Sequence, residues 1–291
     1  MSRKNVEMVL QPREPHYVGD GFRVHNFIPS GPGLSMQRMD PFILLDYNSK
    51  FNFPPKDRPR GVGVHPHRGF ETVTIAYHGR IAHEDSSGGG GVIREGDVQW
   101  MTAASGILHK EFHEEEWSRK GGTFQMVQLW VNLPASEKMS PPKYQAIQNK
   151  DIPRHQLPGE QGEIEVIAGQ YQDIQGTAET FTPMHMYNAR IKKGGKASFS
   201  FPSEYNTCMV VIEGEVKVND DETAPTDHFV LFKNSGEEFN LEANEDAVVL
   251  ILSGKPIGES IAAQGPFVMN TREELAEAMR DFNQGKFGVL H

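Results

Sequence analysis

Two short motifs place metal-ligand side chains at alternate positions of the chain. The first, His-Pro-His, spans His65–His67, and the second, His-Lys-Glu, spans His109–Glu111. In an extended strand, residues i and i+2 point to the same face, so each motif can direct both of its ligand side chains to one ion. Two such strands side by side would supply three imidazole nitrogens and one carboxylate oxygen, which suits iron, manganese, nickel, copper or zinc. Four protein ligands on an octahedral ion leave two positions open, as an oxygen-activating or redox site requires.

A second carboxylate competes for the oxygen-ligand role. Glu71 lies four residues past the first motif and shares its face if the strand is regular, so the spacing leaves Glu71 and Glu111 as alternatives. We interpret His83 as an ordinary surface or core residue. His113 lies near the second motif, but we expect it on no matching face. The stretch Ser86–Gly91 lacks the lysine and helix of a phosphate-binding loop, and we interpret it as a mobile hairpin loop.

Short apolar runs that are rich in β-branched and aromatic residues must position these motifs. Turn residues bound each run, which predicts many antiparallel strands in a sandwich or barrel. The predicted strands are Glu71–Tyr77, Phe124–Val131, Thr207–Ile212, His228–Phe232 and Ala247–Leu252. One helix is predicted near the end, where Thr271 and Glu274 form a capping box before an apolar stripe and Gly285 provides a stop.

A weak internal repeat indicates two similar β-domains. The segments Thr74–Asp85 and Met209–Asp220 share a pattern in which Gly79 matches Gly214, an offset of 135 residues. At this offset the four candidate metal-ligand positions fall on Ser200, Pro202, Asn244 and Asp246. No His-x-His motif follows His67. We therefore expect the second domain to bind no metal.

A proline-rich stretch connects the two halves. Five prolines fall within residues 133–161, where apolar periodicity is weak. We predict an N-terminal metal-binding domain over residues 1–142. A C-terminal domain without metal is predicted over residues 143–291, and it includes the helix.

Composition excludes several classes of protein. The chain has 291 residues, with 29 Lys and Arg against 39 Asp and Glu, and the net charge of −10 argues against direct nucleic-acid binding. The single cysteine, Cys208, excludes an intrachain disulfide and a cysteine-based zinc site. The first residues lack the apolar run of a signal peptide, and no run is long enough to span a membrane. We expect a cytoplasmic protein.

Several long and unusual sequence words resemble the pirin family of the cupin superfamily. They are HPHRGFETVT (His65–Thr74), GDVQWMTAASGILHKE (Gly96–Glu111), QLWVNLPASEKMSPPKYQ (Gln128–Gln145), GPFVMNTREEL (Gly265–Leu275) and the Asp-Pro-Phe of Asp40–Phe42. The resemblance covers most of the chain. It implies an all-β bicupin, in which two antiparallel jelly-roll β-barrels pack together and a C-terminal helix follows.

The resemblance also implies one non-haem metal in the N-terminal domain, with Fe(II) favoured and Mn, Ni, Cu or Zn as alternatives. Carried over, the ligands are His65, His67, His109 and Glu111. General cupins take their carboxylate from the position of Glu71. This chain departs from that general pattern in the same two places as pirins, so we favour Glu111 as ligand and expect Glu71 beside the ligands.

The activity implied by the resemblance is cleavage of flavonols such as quercetin at the 2,3-position with O2. In this hypothesis Glu111 is the catalytic proton acceptor. An aromatic substrate needs an apolar pocket, for which Phe53, Trp100 and Met101 are candidate linings and Gln128 a candidate polar contact. Trp130 is a further candidate lining, for which we favour barrel core as the interpretation.

A second hypothesis of a different class is an iron-dependent, redox-sensing regulatory protein. It would bind a transcription factor or a metabolic enzyme, and the oxidation state of its metal would change the surface around the site. A third is that flavonol cleavage is a side activity and the substrate is another enolic or phenolic metabolite. The sequence alone leaves these alternatives open, because fold does not determine function.

Overall fold

The computed structural model describes residues 2–290, which are mostly β-strand. The strands are β1 Val6–Leu10, β2 His16–Val18, β3 Phe22–Ile28, β4 Phe42–Phe53, β5 Gly61–His67, β6 Phe70–His78, β7 Ile81–Asp85, β8 Gly90–Ile93, β9 Val98–Thr102, β10 Ile107–His113, β11 Gly122–Asn132, β12 Lys143–Ile147, β13 Arg154–Gln156, β14 Gly162–Ala168, β15 Gln170–Tyr171, β16 Ile174–Gln175, β17 Met184–Ile191, β18 Lys196–Ser200, β19 Asn206–Glu213, β20 Glu215–Val218, β21 Glu222–Pro225, β22 Phe229–Phe232, β23 Glu238–Ala243, β24 Ala247–Gly254, β25 Ala262–Gln264 and β26 Phe267–Met269. The α-helices are α1 Met36–Met39, α2 Glu115–Lys120 and α3 Arg272–Asn283, and 3-10 turns span Pro32–Leu34, Asn149–Asp151 and Pro158–Glu160.

The chain forms two compact units that exchange segments. The first unit contains residues 14–149 and 257–290, and the second contains residues 2–13 and 150–256. Helix α3 therefore belongs to the first unit, and β1 belongs to the second. The domain division between residues 142 and 143 stays a prediction.

Each unit contains one seven-stranded and one four-stranded antiparallel sheet, together with a two-stranded sheet, β25-β26 in the first unit and β15-β16 in the second. In the first unit the spatial orders are β12-β9-β6-β11-β4-β3-β2 and β5-β10-β7-β8. In the second they are β1-β22-β19-β24-β17-β14-β13 and β18-β23-β20-β21. The two arrangements match strand for strand, with β1 in the position that β12 takes in the first unit, so the predicted pair of cupin domains is confirmed.

The predicted internal repeat corresponds to one hairpin in each unit. Gly79 joins β6 to β7 and Gly214 joins β19 to β20, and both have the positive φ that favours glycine, at 91° and 74°. The strands that the apolar runs predicted are present, since β6, β11, β19, β22 and β24 cover them almost completely. Both faces of β6 are buried, which suits its β-branched and aromatic composition.

The predicted helix near the end is α3, and its capping box is present. Thr271 accepts from the Glu274 backbone N–H, and the Glu274 carboxylate accepts in return from the backbone N–H of Thr271. Leu275 and Ala278 are buried and pack with Phe267 of β26 in one apolar cluster of the first unit. Within residues 2–290, no helix has the length and apolar character to cross a membrane.

Candidate metal centre

The register of β10 with its neighbour β5 brings three histidines together. His109 of β10 pairs directly with His65 of β5, and Ile107 pairs with His67. The His109 ring centroid lies 4.2 Å from that of His65 and 4.6 Å from that of His67. Ligand nitrogens of the three rings all lie within 4.8 Å of one another, which is close enough for one ion to bind all three.

Two of these imidazoles, His67 and His109, are in the protonation state that a metal requires. His67 and His109 are buried, whereas His65 is half-buried. Burial, together with the neighbouring imidazoles, holds the pKa of His67 and of His109 well below the ordinary value. The rings are therefore neutral at physiological pH and keep a lone pair for coordination.

Orphaned ring nitrogens also fit a metal. His67 Nδ1 and His109 Nε2 are buried, and neither has a hydrogen-bond partner among the described residues. A buried polar atom without a partner costs free energy, which a coordinated cation would offset. His65 Nδ1 is hydrogen-bonded to the Gly63 carbonyl oxygen at 2.8 Å, an interaction that orients this ring.

Glu111 is the carboxylate that the structure brings next to the histidines. It lies on β10 two residues beyond His109, on the same buried face, and one of its oxygens belongs to a second cluster with His109 and His83. Gln128 of β11 donates from Nε2 to both carboxylate oxygens of Glu111, at 2.9 and 3.2 Å. The predicted polar contact Gln128 therefore lies beside the cluster and holds Glu111 in place.

His83 is the residue of this site that the sequence analysis missed. It lies on β7, opposite Glu111, and its Nδ1 is 3.5 Å from Nδ1 of His109. Gln99 Nε2 is 3.2 Å from the same His83 nitrogen, and the Tyr144 ring stacks on the His83 ring at 5.5 Å. The alternation of His83 and Asp85 just after the Gly79 hairpin was the signal that could have revealed an inward-facing pair.

Asp85 is a buried carboxylate that lies beside His83. Burial raises its pKa, but His83 and hydrogen bonds from Ser87 and Gly89 outweigh that effect and lower it to about 2. Its Oδ2 faces His83 Nε2 at 3.6 Å, and both side chains are fully buried. A group that remains charged in this position keeps a negative potential beside the histidine cluster.

Two predicted residues, Glu71 and Trp100, lie on the other face of the sheet. Directly paired residues of antiparallel strands share a face, and Glu71 pairs with Thr102 while Val73 pairs with Trp100. Gln99, the neighbour of Trp100, contacts His83, so Trp100 and Glu71 point away from the cluster. Burial raises the pKa of Glu71 to about 7, although Thr102 donates a 2.8 Å hydrogen bond to Oε1.

The remaining pocket candidates are distributed around the site. Met101 shares the face of Gln99 and packs against Tyr144. Phe53 lies farther along the barrel, where its ring contacts His113 at 4.8 Å in an aromatic cluster. Trp130, interpreted as core, contacts the His67 ring at 5.3 Å and stacks on Phe70, so it borders the site directly.

His113 lies in the same barrel interior, but its contacts are those of a packed core residue. It follows Glu111 on the inward face of β10, and its Nε2 is hydrogen-bonded to the Gly21 carbonyl oxygen at 2.8 Å. Burial lowers its pKa to about 4. The ring packs against Phe22 and Phe124. The expectation that His113 lies on no matching face is wrong, because the regular alternation of β10 gives it the same buried face as His109 and Glu111.

In the second unit the equivalent positions are apolar. Gly79 matches Gly214, so His83 matches Val218, which pairs with Leu241 as His83 pairs with Glu111. The register of β23 with β18 pairs Phe239 with Phe199 where the first unit pairs His109 with His65. The four ligand positions therefore correspond to Phe199, Phe201, Phe239 and Leu241.

This register corrects the residues given by a constant offset. The constant offset pointed to Ser200, Pro202, Asn244 and Asp246, but the loops of the two units differ in length. The aromatic rings form a stacked core instead, with Phe199 and Phe239 centroids 5.2 Å apart. Both candidate metal clusters found within residues 2–290 lie in the first unit.

Comparisons with known proteins agree with this architecture. Residues 21–131 match the family model Pirin, and residues 186–288 match the model of the pirin C-terminal cupin domain. The crystal structure of a quercetin 2,3-dioxygenase from Acinetobacter baumannii is 49% identical, with a TM-score of 0.92 over 99% of both chains.

Two curated proteins extend the comparison. A Pseudomonas aeruginosa protein named "Putative quercetin 2,3-dioxygenase PA2418" is 48% identical over 95% of this chain and 96% of its own length. The pirin of Rattus norvegicus is 37% identical over 99% of this chain and 94% of its own length.

Proposed function

This chain belongs to the pirin family, and on that premise we propose that it is a metal-dependent dioxygenase that cleaves flavonols such as quercetin at the 2,3-position. The observation that carries the proposal is the cluster of three imidazoles in the first unit, with the carboxylate of Glu111 beside it. The similar proteins from Acinetobacter baumannii and Pseudomonas aeruginosa have names that point to the same reaction.

The proposed ligands are His65, His67, His109 and Glu111, and the proposed ion is Fe(II). Manganese, nickel, copper and zinc remain alternatives because imidazole and carboxylate ligands accept all of them. A bound ion of this kind would supply Lewis acidity, which favours the deprotonated flavonol. Iron and the other redox-active ions, but not zinc, would also supply one-electron chemistry for the reaction with O2.

The protein's own residues supply proton transfer and orientation. In this proposal Glu111 accepts the proton of the flavonol hydroxyl, and Gln128 donates to both of its oxygens. Loss of one Gln128 hydrogen bond would let the carboxylate turn toward that proton. Trp130 and Met101 provide apolar surface near the cluster for a planar substrate. The reaction consumes O2, opens the central ring and releases carbon monoxide.

Aerobic quercetin turnover by protein of known metal content tests this function. We expect substrate loss with equimolar release of carbon monoxide, abolished by chelation and restored by Fe(II). His67→Ala should lose both stoichiometric metal and turnover, because one ligand and the ring that packs on Trp130 are removed. His25→Ala is the matched control, since His25 is a buried histidine of the same unit whose Nε2 contacts Ser49.

Two outcomes would contradict the proposal. Full metal content in the His67→Ala variant would remove the ligand assignment. Stoichiometric iron without turnover would exclude flavonol cleavage and favour the redox-sensing alternative, in which protein partners distinguish the two oxidation states.

A further inference from the structure

A line of buried polar residues leads from the proposed metal ligand His109 on β10 to the neighbouring strand β7. It consists of His109, His83 and Asp85, with Gln99 beside His83. Nδ1 of His109 is 3.5 Å from Nδ1 of His83, and Nε2 of His83 is 3.6 Å from Oδ2 of Asp85. All four residues are buried, at 4% exposure or less.

The strand pairing makes this line of residues a fixed feature of the fold. β10 lies between β5 and β7, and His109 pairs with His65 on one side and with Asp85 on the other. Glu111 pairs with His83 in the same ladder. The ligand strand is therefore flanked on one side by further proposed ligands and on the other by the His83–Asp85 pair.

The orientation of Asp85 is set by its own turn. Its Oδ1 accepts hydrogen bonds from the Ser87 backbone, the Ser87 hydroxyl and the Gly89 backbone, at 2.8, 2.6 and 3.0 Å. Oδ2 is left facing His83 and has no hydrogen-bond partner among the residues described. An ionised carboxylate is an acceptor only, so the ring nitrogen that faces it is stabilised as N–H.

The ionised Asp85 carboxylate thereby determines which ring nitrogens of His83 and His109 carry a hydrogen. With the hydrogen on Nε2, His83 must present the lone pair of Nδ1, and two groups converge on that atom. They are Gln99 Nε2, at 3.2 Å, and His109 Nδ1. His109 then carries its hydrogen on Nδ1, which leaves the lone pair on Nε2, the buried nitrogen that has no partner within residues 2–290.

We propose that Asp85, His83 and Gln99 are positioning residues that hold His109 in the Nδ1–H tautomer and direct its Nε2 to the metal. This inference rests on the proposed metal site but not on flavonol cleavage. It assigns a role to a histidine pair that neither ligand motif contains.

The tautomer is measured directly by long-range ¹H–¹⁵N NMR of the full chain labelled at histidine. The His109 signals are assigned from their loss in His109→Gln. We expect His109 to be protonated at Nδ1 in the wild type, and we expect this tautomer to be lost or mixed in His83→Ala and in Asp85→Asn. His25 is a buried histidine that does not belong to the His109–His83–Asp85 group, so His25→Ala should leave the His109 signals unchanged.

Metal affinity provides a second readout that does not depend on turnover. Co(II), monitored by its visible absorption, should bind about 10–100-fold more weakly to His83→Ala and Asp85→Asn than to the wild type. His83→Gln should recover part of the affinity, because an amide oxygen can still accept from His109 Nδ1. If His83 only filled space, His83→Gln would recover no more Co(II) affinity than a substitution that lacks a hydrogen-bond acceptor.

Three results would overturn the proposal. One is a wild-type His109 protonated at Nε2. Another is unchanged tautomer and Co(II) affinity in both His83→Ala and Asp85→Asn. The third is two Co(II) ions per chain with one lost in His83→Ala, which would make His83 a ligand of a second site. The protein could show the expected ranking of Co(II) affinities among wild type and variants and still not cleave quercetin. That result would support the positioning role of His83 and contradict the proposed dioxygenase activity.

Discussion

At the scale of single residues, the difference between the two candidate carboxylates has a kinetic consequence. Glu111 lies beside His109 and is held by Gln128, whereas Glu71 points to the opposite face of its sheet. Glu111→Gln should therefore lower kcat by at least about 100-fold, the typical contribution of a positioned acid–base group. Glu71→Gln should retain most of the activity. Steady-state quercetin turnover of metal-loaded variants decides this, and the reverse order would transfer the carboxylate role to Glu71.

Glu71 should instead affect the pH dependence of stability. Burial raises its pKa from 4.5 to about 7, so the folded protein binds this proton more tightly than the unfolded chain. Its contribution to stability is fully present below pH 4.5 and is lost as the pH rises to about 7, by up to roughly 3 kcal/mol.

Denaturant unfolding of wild type and Glu71→Gln between pH 5 and 8 measures this effect. The variant should gain stability relative to wild type as the pH rises across this range. Glu277→Gln, an exposed position on α3, is the control and should follow wild type. Parallel curves for wild type and Glu71→Gln would show that Glu71 titrates normally.

The residues that could be predicted from the sequence are those whose ligand types alternate within one strand. His65 with His67, and His109 with Glu111, required only the two-residue period of an extended chain. His83 could not be found this way, because its contact with His109 depends on which strand becomes the neighbour of β10. Trp100 and Met101 are adjacent in sequence and differ only in the face they take, so choosing between them required the strand register.

At the scale of elements, α3 supports the strand that carries the first ligand motif. Arg68 follows His67 directly, is buried, and donates from Nη1 to Oδ2 of Asp281 at 3.0 Å. Its guanidinium also lies 4.7 Å from the Phe287 ring. Asp281→Asn should destabilise the first unit by about 3 kcal/mol, because it leaves a buried cation without its charge partner.

Asp281→Asn should also weaken metal binding at the histidine cluster. Displacement of Arg68 would move the end of β5, so Co(II) affinity of Asp281→Asn should fall along with the unfolding midpoint. Glu277→Gln on the same helix is the control for both measurements. A variant with reduced stability but wild-type Co(II) affinity would show that α3 supports the fold without positioning the ligands.

The turn between β5 and β6 is held by the same terminal segment. Gly69 has a φ of 89°, and a Cβ there would collide with the carbonyl oxygen of Val268. Lys138 Nζ donates to the carbonyl oxygens of both Gly69 and Val268, at 2.6 and 3.0 Å. The helix and its capping box were predictable from local sequence, but this packing was not, because it joins residues nearly 200 positions apart.

At the scale of the whole molecule, metal binding should stabilise one unit selectively. The three tryptophans, Trp100, Trp117 and Trp130, all belong to the first unit, so their emission follows that unit alone. A metal present at about 100 times its Kd should stabilise the first unit by about 2.7 kcal/mol. Trp130 contacts His67, so a paramagnetic ion should also quench part of the emission.

Chemical unfolding followed by tryptophan emission, with and without Co(II), measures both effects. His67→Ala should show neither the stabilisation nor the quenching, whereas His25→Ala should show both. An unchanged midpoint in wild type at saturating Co(II) would contradict a specific site in the folded unit.

The duplicated architecture was predictable at this scale because a glycine hairpin recurs in both halves. The exchange of end segments was not, since β1 and β12 take equivalent sheet positions in different units without any shared local pattern. Pairing of β1 with β22 spans more than 200 residues of sequence, and no periodicity within a strand encodes its partner.

The exchange of segments reverses the order in which the units can mature during synthesis on the ribosome. Every described residue of the second unit has been translated once position 256 is reached, whereas the first unit still lacks residues 257–290. Those late residues include Asp281, the partner of Arg68 beside His67. Domains tend to fold as units while the chain emerges. The first unit, whose long segment 14–149 is translated before residues 150–256 of the second, is therefore the one completed last. A nascent chain would thus complete the support of His67 on β5, and with it the proposed metal site, only after every described residue of the second unit has been translated.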